Sequence, residues 1–121
     1  EFIDVGGTDV EGAVLSIAFD CEIGFIPEAQ KFLKAYTDEY KSEPSALSAM
    51  AYDAYLITVD AIKRANSTDS QKIRDALAAT KDLEAVTGKT TFDKNGDPIK
   101  AAVIKEVKDA KFKYLDFVGV N

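Results

Sequence analysis

From Ser45 to Ala65 the chain contains neither Gly nor Pro, and this uninterrupted run most constrains what it can fold into. It is long enough for a helix of several turns. Leu47, Ala51, Ala54, Tyr55, Val59 and Ile62 recur at three- and four-residue steps, which places them on one face. Met50, Leu56 and Ile57 widen the apolar surface almost all the way round. Only Asp53, Asp60 and Arg64, with Lys63 beside them, make a narrow polar stripe. A helix of this kind needs cover on most sides, so it is expected to run through the middle of a packed layer, its apolar residues in the core. Pro44 and Ser45 suit its start, and Asn66 with Ser67 suits its end.

Two further helices flank it. Pro27 fits a first helical position, where its missing N–H costs nothing, and Glu28 places a negative charge at the positive end of the dipole. Ala29, Phe32, Leu33, Tyr36 and Tyr40 then trace one apolar stripe, and Ser42 to Pro44 stops the helix. After the central run, Thr68 and Gln71 have capping-box spacing, with Asp69 as the alternative cap. Ile73, Ala76, Leu77 and Thr80 share the face of that shorter helix.

Strands are expected at the two ends. Glu1 to Glu11 reads as irregular, and GAVLSIAF from Gly12 as a short strand buried on both faces, followed by a loop, DCEIGFIP. Lys89 to Phe92 reads as a strand, with a turn at Asn95-Gly96. AAVIKEVKDAKFKYLDFVG reads as two strands joined near Asp109-Ala110. In the second of them Phe112, Tyr114 and Asp116 are expected on one face and Lys113, Leu115 and Phe117 on the other, a mixed pattern that suits an edge.

Composition excludes several classes of function. The net charge of −6 argues against a nucleic-acid partner, whose phosphates reward Lys and Arg. The chain has no His, so it cannot build Ser–His or Cys–His nucleophilic pairs or a His-ligated metal site by itself. Cys21 is the single cysteine and has no partner for an internal disulfide. Asp93 to Asp97, DKNGD, invites a calcium reading, but Pro98 and Ile104 stand where that loop wants its Gly and its bidentate Glu, so a plain turn is preferred. The case for a carboxylate pair is equally thin: Asp53 and Asp60 lie two turns apart on one helix face, and a solvated stripe, with Asp60 paired to Arg64, is the stronger reading. No enzyme and no cofactor are expected. With no Met at its head, the sequence is expected not to begin where its gene does.

The motifs taken together are more specific. VEGAVLSIAF, AQKFLKAYTDEYKSEPSALSAMAYDAYLITVDAIKRANSTD, KIRDALAATKDLEAVTGKTTFDKNGDPIK and VIKEVKDAKF resemble, in order, the C-terminal portion of the branched-chain amino-acid-binding family of ABC transporter substrate-binding proteins. The resemblance implies an α/β chain with a partial type I periplasmic-binding fold, three helices flanked by short strands and a C-terminal hairpin. In that frame residues 1–18 resemble the end of a second lobe, 22–100 a first-lobe segment and 103–121 the second lobe's terminal hairpin. Ile17 to Cys21 and Lys100 to Ile104 would be crossings between the lobes. Leu47 would touch a ligand's side chain, with Phe19 and Asp20 near the cleft mouth. The groups that grip the ligand's carboxylate and ammonium would lie in stretches preceding Glu1. Where the family usually has Gly in the final turn, this chain has Ala110.

Two functions follow as expectations. The first is a fragment of an extracytoplasmic solute-binding protein that captures a branched-chain or related small amino acid without a covalent step and works with the membrane permease of an ABC importer. Its location would be periplasmic or extracellular, a cell-surface lipoprotein included. The second is a self-associating interaction or sensor module that reuses this part of the fold without a ligand. An exposed apolar helix and unpaired strand edges lead to the expectation of a homodimer held by Val14, Leu15 and Ile17 with part of the Leu47 to Ile62 surface.

Overall fold

A computed structural model describes residues 1–23 and 26–119; the expected loop at Gly24 and Phe25 and the end of the chain at Val120 and Asn121 lie outside the described residues. Three helices occupy the middle of the chain: α2 (Pro27–Tyr40), α3 (Ala46–Ala65) and α4 (Ser70–Ala78). The head of the chain, expected to be irregular, instead forms a short helix α1 (Phe2–Gly6) and a 3-10 turn (Gly7–Val10). Phe2 stacks on Phe112 with ring centroids 6.3 Å apart, which gives that helix something to lie on.

The caps explain why each helix begins and ends where it does. Ser45 Oγ accepts from the Ser48 N–H, satisfying one of the donors left over at the start of α3. At the other end Asn66 turns into the left-handed region at φ 44°, a conformation that Asn tolerates. Of the two caps open to α4 the structure uses Asp69, whose carboxylate accepts from the Lys72 N–H at 3.0 Å. Arg64 then fastens α3 to α4. Its guanidinium donates to Asp60, to the Ala76 carbonyl and to the Thr80 hydroxyl, at 2.7, 2.6 and 2.8 Å.

The central helix presents a different face to the core from the one its apolar spacing suggests. Ala49, Asp53, Ile57 and Ala61 are its buried residues, one every four, whereas Leu47, Met50, Tyr52, Tyr55 and Ile62 are exposed. Asp53, expected on a solvated stripe, is only 2% exposed. The small side chains of Ala49 and Ala61 let neighbouring backbone approach closely, and the carboxylate between them is fully satisfied. It accepts from the backbone N–H groups of Val86 and Thr87 at 2.6 and 3.1 Å, and from the Thr87 hydroxyl at 2.6 Å. Lys100 completes the set with a salt bridge at 3.1 Å. The donors come from a turn closed by a Gly88 N–H to Ala85 carbonyl bond. Gly88 holds φ at 99°, and a Cβ there would sit within 4.0 Å of Ile26, Ala101 and Phe117. Glycine is therefore what lets this turn close under the helix.

The ends of the chain meet in one antiparallel sheet, order β1 (Val14–Ile17), β4 (Ala102–Lys108), β5 (Lys111–Val118). A second, two-stranded ladder pairs β2 (Thr91–Phe92) with β3 (Pro98–Ile99) across the Asn95-Gly96 turn. In that turn the Asp93 carboxylate accepts from the N–H groups of Asn95 and Asp97, so it is spent on the local backbone. The strand at Val14 is shorter than expected and not buried on both faces, because it is an edge: Val14 is 60% exposed, while Leu15 and Ile17 are half-buried. Leu15 and Ile17 pair with Lys105 and Val103 and share their side of the sheet, which removes both from the outward surface expected to hold a dimer.

The β5 alternation is also corrected. The register slips between Ile104 and Lys105, which face Asp116 and Tyr114, so Leu115 is an extra residue in a bulge. That single insertion reverses the faces beyond it. Phe117, opposite Val103, thus joins Phe112 and Tyr114 on one side instead of opposing them. Phe117, Tyr114 and Ile17 pack against a core of Phe19, Ile23, Ile26, Ala29, Phe32, Ala49, Val86 and Val103. At its centre Phe19 meets Phe32 edge to face, 6.0 Å apart at 85°.

Two predictions follow from these contacts. Asp53→Asn should lower unfolding stability by about 3 kcal/mol, because one amide cannot accept from all four donors and leaves the Lys100 ammonium without its counter-charge; urea denaturation measures it, and a loss below about 1 kcal/mol would contradict the assigned network. Asp109 and Ala110 form a two-residue hairpin turn at φ 54° and 55°, the mirror-image type that favours Gly. Ala110→Gly should therefore raise the thermal midpoint, with a gain of about 1 kcal/mol from relief of the Cβ clash.

Candidate functional site

A cavity of about 450 Å³ opens where the inner side of the sheet faces the approach to α3. Leu15, Ile17 and Phe112 form its apolar wall, and Pro44 and Ala46 face them from the start of the central helix. Its polar groups are Asp20, Glu22, Glu43 and Lys105. Asp20 follows directly on the core residue Phe19, so its backbone is fixed from one side. Its carboxylate accepts from the Glu22 N–H at 2.9 Å and forms an ion pair with Lys105. Both side chains of that pair are largely removed from water, at 13% and 12% exposure. Lys105 reaches it from the middle of β4, on the same side as Val103 and Val107.

Three carboxylates around one ammonium leave the cavity with an excess of negative charge. Such a wall suits a cationic group and an apolar side chain, but offers no ring of donors for a carboxylate. Cys21 sits between these groups, its thiol directed at the Pro44 carbonyl at 3.9 Å. Burial pushes the thiol up from its ordinary range, and the carboxylates of Glu43 and Asp20 push it further, against the opposing pull of Lys105.

Of the residues singled out from sequence, Asp20 and Phe19 both line the cavity, Phe19 as a core residue at 2% exposure, and Leu47 does not. Leu47 points outward from the first turn of α3 at 75% exposure, next to Ala46, which does line the cavity. Lys105 was missed as a functional residue. Its signal was present in the alternation Val103-x-Lys105-x-Val107, which puts a lysine on the buried side of a strand. Among the described residues no group of three or more His, Cys, Asp or Glu side chains is arranged to hold a metal ion.

Because thiolate is the reactive form, Cys21 should be alkylated by iodoacetamide at about pH 8 more slowly than free cysteine. Lys105→Met should slow it again, since the cation that favours the thiolate is gone. A rate equal to that of free cysteine would contradict the described surroundings.

The sequence profile of the family described as periplasmic binding protein matches residues 3–111. Solved structures with the same fold include a leucine binding protein, LivK, from Thermotoga maritima, 35% identical over 97% of this chain, with a TM-score of 0.83. The substrate binding protein LivJ of a branched-chain amino acid transporter from Streptococcus pneumoniae, in complex with isoleucine, is 33% identical over 88% of this chain, with a TM-score of 0.74. An ABC transporter substrate-binding protein from Desulfitobacterium hafniense in complex with Leu is 27% identical over 88%, with a TM-score of 0.75. The chain spans about a third of the length of these structures: 33%, 30% and 32% of the three in turn. Profile and neighbours agree on one conclusion: this chain belongs to the periplasmic binding protein family.

Proposed function

We propose that this chain is the hinge-and-wall portion of an extracytoplasmic solute-binding protein for branched-chain or related small amino acids, serving an ABC importer through its membrane permease. The observation that carries the reading is the cavity at Asp20 and Lys105, set between a sheet made from the two ends of the chain and the helices made from its middle. Residues 1–18 and 103–121 belong to one lobe in this reading and residues 22–100 to the other. The backbone crosses between them beside Asp20 and again beside Lys100. Each crossing carries an ion pair, Asp20 with Lys105 and Lys100 with Asp53. The likeness to LivK and to LivJ with bound isoleucine supports the ligand class.

Asp20 lies at the cleft mouth, Leu47 supplies an apolar contact from the helix start, and Phe19 acts from below by holding Asp20 in place. Capture is non-covalent and proceeds by closure of the lobes, without an enzymatic step. The location is periplasmic or extracellular, with a cell-surface lipoprotein as one form of it.

The charge pattern of the cavity sets the expected affinity. It offers carboxylates to an ammonium group, but a ligand carboxylate would be desolvated without partners, which is strongly unfavourable. Calorimetric titration of the 121-residue chain with leucine, isoleucine and valine should show weak binding or none. A dissociation constant tighter than about 10 μM, about −7 kcal/mol, would mean that the chain carries a complete set of ligand partners, and its reading as one wall of a cleft would be wrong. Amide shifts on adding leucine at high concentration should centre on Asp20, Ala46 and Leu47; shifts confined to other residues would count against the assigned wall.

A further inference from the structure

Among the asparagines of the chain, only Asn95 is followed by glycine, and the pair sits in the turn that joins β2 to β3. Every residue from Lys94 to Ile99 is exposed. A Cβ built at Gly96 meets nothing within 4 Å, so the space beside its backbone is open. We propose that Asn95 is a site of spontaneous deamidation and isoaspartate formation in the folded protein, and that the Asp93 carboxylate restrains its rate.

The reaction needs only water. The Gly96 backbone nitrogen loses its proton to solvent base and attacks Cγ of Asn95. A bond forms from that nitrogen to Cγ as the Cγ–Nδ2 bond breaks, and Nδ2 leaves as ammonia with a proton from water. The cyclic succinimide that results is opened by water at either carbonyl, to aspartate or to isoaspartate. Nothing is oxidised or reduced. Glycine is the neighbour that best permits the attack, because it has no Cβ to obstruct the approach. Asn66, exposed at the end of α3, is followed by Ser67, whose side chain hinders the same step.

The turn acts on both reacting groups. The Gly96 N–H donates to the Asp93 carbonyl at 3.1 Å, which ties down the nucleophile. Asn95 Nδ2 donates to Asp93 Oδ2 at 3.3 Å, which fixes the amide under attack. The other carboxylate oxygen accepts from the Asn95 and Asp97 N–H groups at 2.8 and 2.9 Å. Those N–H groups, that of Asp97 foremost, hold the Asp93 carboxyl below its usual range, so its negative charge is present wherever base is available. A fixed negative charge near the Gly96 N–H opposes its deprotonation.

The product alters more than one side chain. Isoaspartate adds a methylene to the backbone and places a new carboxylate between Asp93 and Asp97. The bonds between those two residues, both 2.9 Å, and the short ladder beyond them depend on the native spacing. β3 ends at Ile99, next to Lys100, so the change reaches the residue that neutralises Asp53. The inference does not depend on the ligand-binding reading.

Incubation of the 121-residue chain at mildly alkaline pH, followed by peptide mapping with mass spectrometry, tests it. The Asn95 peptide should appear in aspartate and isoaspartate forms, separated by chromatography, with conversion at Asn66 lagging behind. Conversion at Asn95 should be about tenfold slower than in the same chain unfolded in urea, the factor that one hydrogen bond to a charged group supplies. Asp93→Ala should recover most of that factor, with Asn66 unaffected and circular dichroism unchanged. Should it disturb the fold, Asp93→Asn, which keeps an acceptor without the charge, should accelerate conversion in the same direction. A folded chain with no product at Asn95 after the urea-treated chain has fully converted overturns the site. Equal rates in the wild type and both Asp93 variants, or a folded rate equal to the urea rate, overturn the restraint.

Discussion

The carboxylate of Asp53 is the constraint on which the rest of the structure depends. A charge removed from water is tolerated only when paired and hydrogen-bonded. Here one lysine, one hydroxyl and two backbone N–H groups surround it. Each of those donors comes from far along the chain, so the requirement fixes tertiary structure. The turn at Ala85 to Gly88 must close directly under α3, and the stretch leading into β4 must pass close enough for Lys100 to reach. Val86 enters the core in the same step, since its own N–H is one of the donors.

Burying Asp53 also decides what α3 shows to the outside. A helix can turn only one stripe inward, and here the inward stripe carries Ala49, Asp53, Ile57 and Ala61. Its larger apolar residues are thereby turned outward, and Tyr52 and Tyr55 meet the aromatic row of α2. The exposed aromatic row along α2 and α3 is a consequence of that one rotation. Tyrosine suits such a surface because its ring removes apolar area on contact while its hydroxyl stays hydrated.

A second constraint acts where the chain enters β4. Lys100 and Lys105 flank the buried Val103, and each reaches an acid on another part of the chain, Asp53 and Asp20. Two ion pairs so close along the stretch that enters β4 tie it at fixed points, one to α3 and one to the segment that follows β1. Loosely packed apolar surface alone would let the two parts slide.

Sequence alone determined the three middle helices and their ends, because capping and helix-breaking are local: Pro27, Ser45, Asn66 and Asp69 act on the residues next to them. The Asp109-Ala110 hairpin, the edge character of β5 and the family likeness were legible for the same reason, being carried by contiguous motifs. Only the tertiary structure decided which face of α3 is inside. Apolar spacing favoured the Leu47, Ala51 and Tyr55 face, and no local rule announces that a turn thirty-three residues away will satisfy Asp53. The bulge at Leu115 was hidden likewise, since an extra residue in one strand is defined only against its partner. Lys105 belongs to the same class: its neighbours hinted at burial, but its role rests on Asp20, eighty-five residues away in the chain.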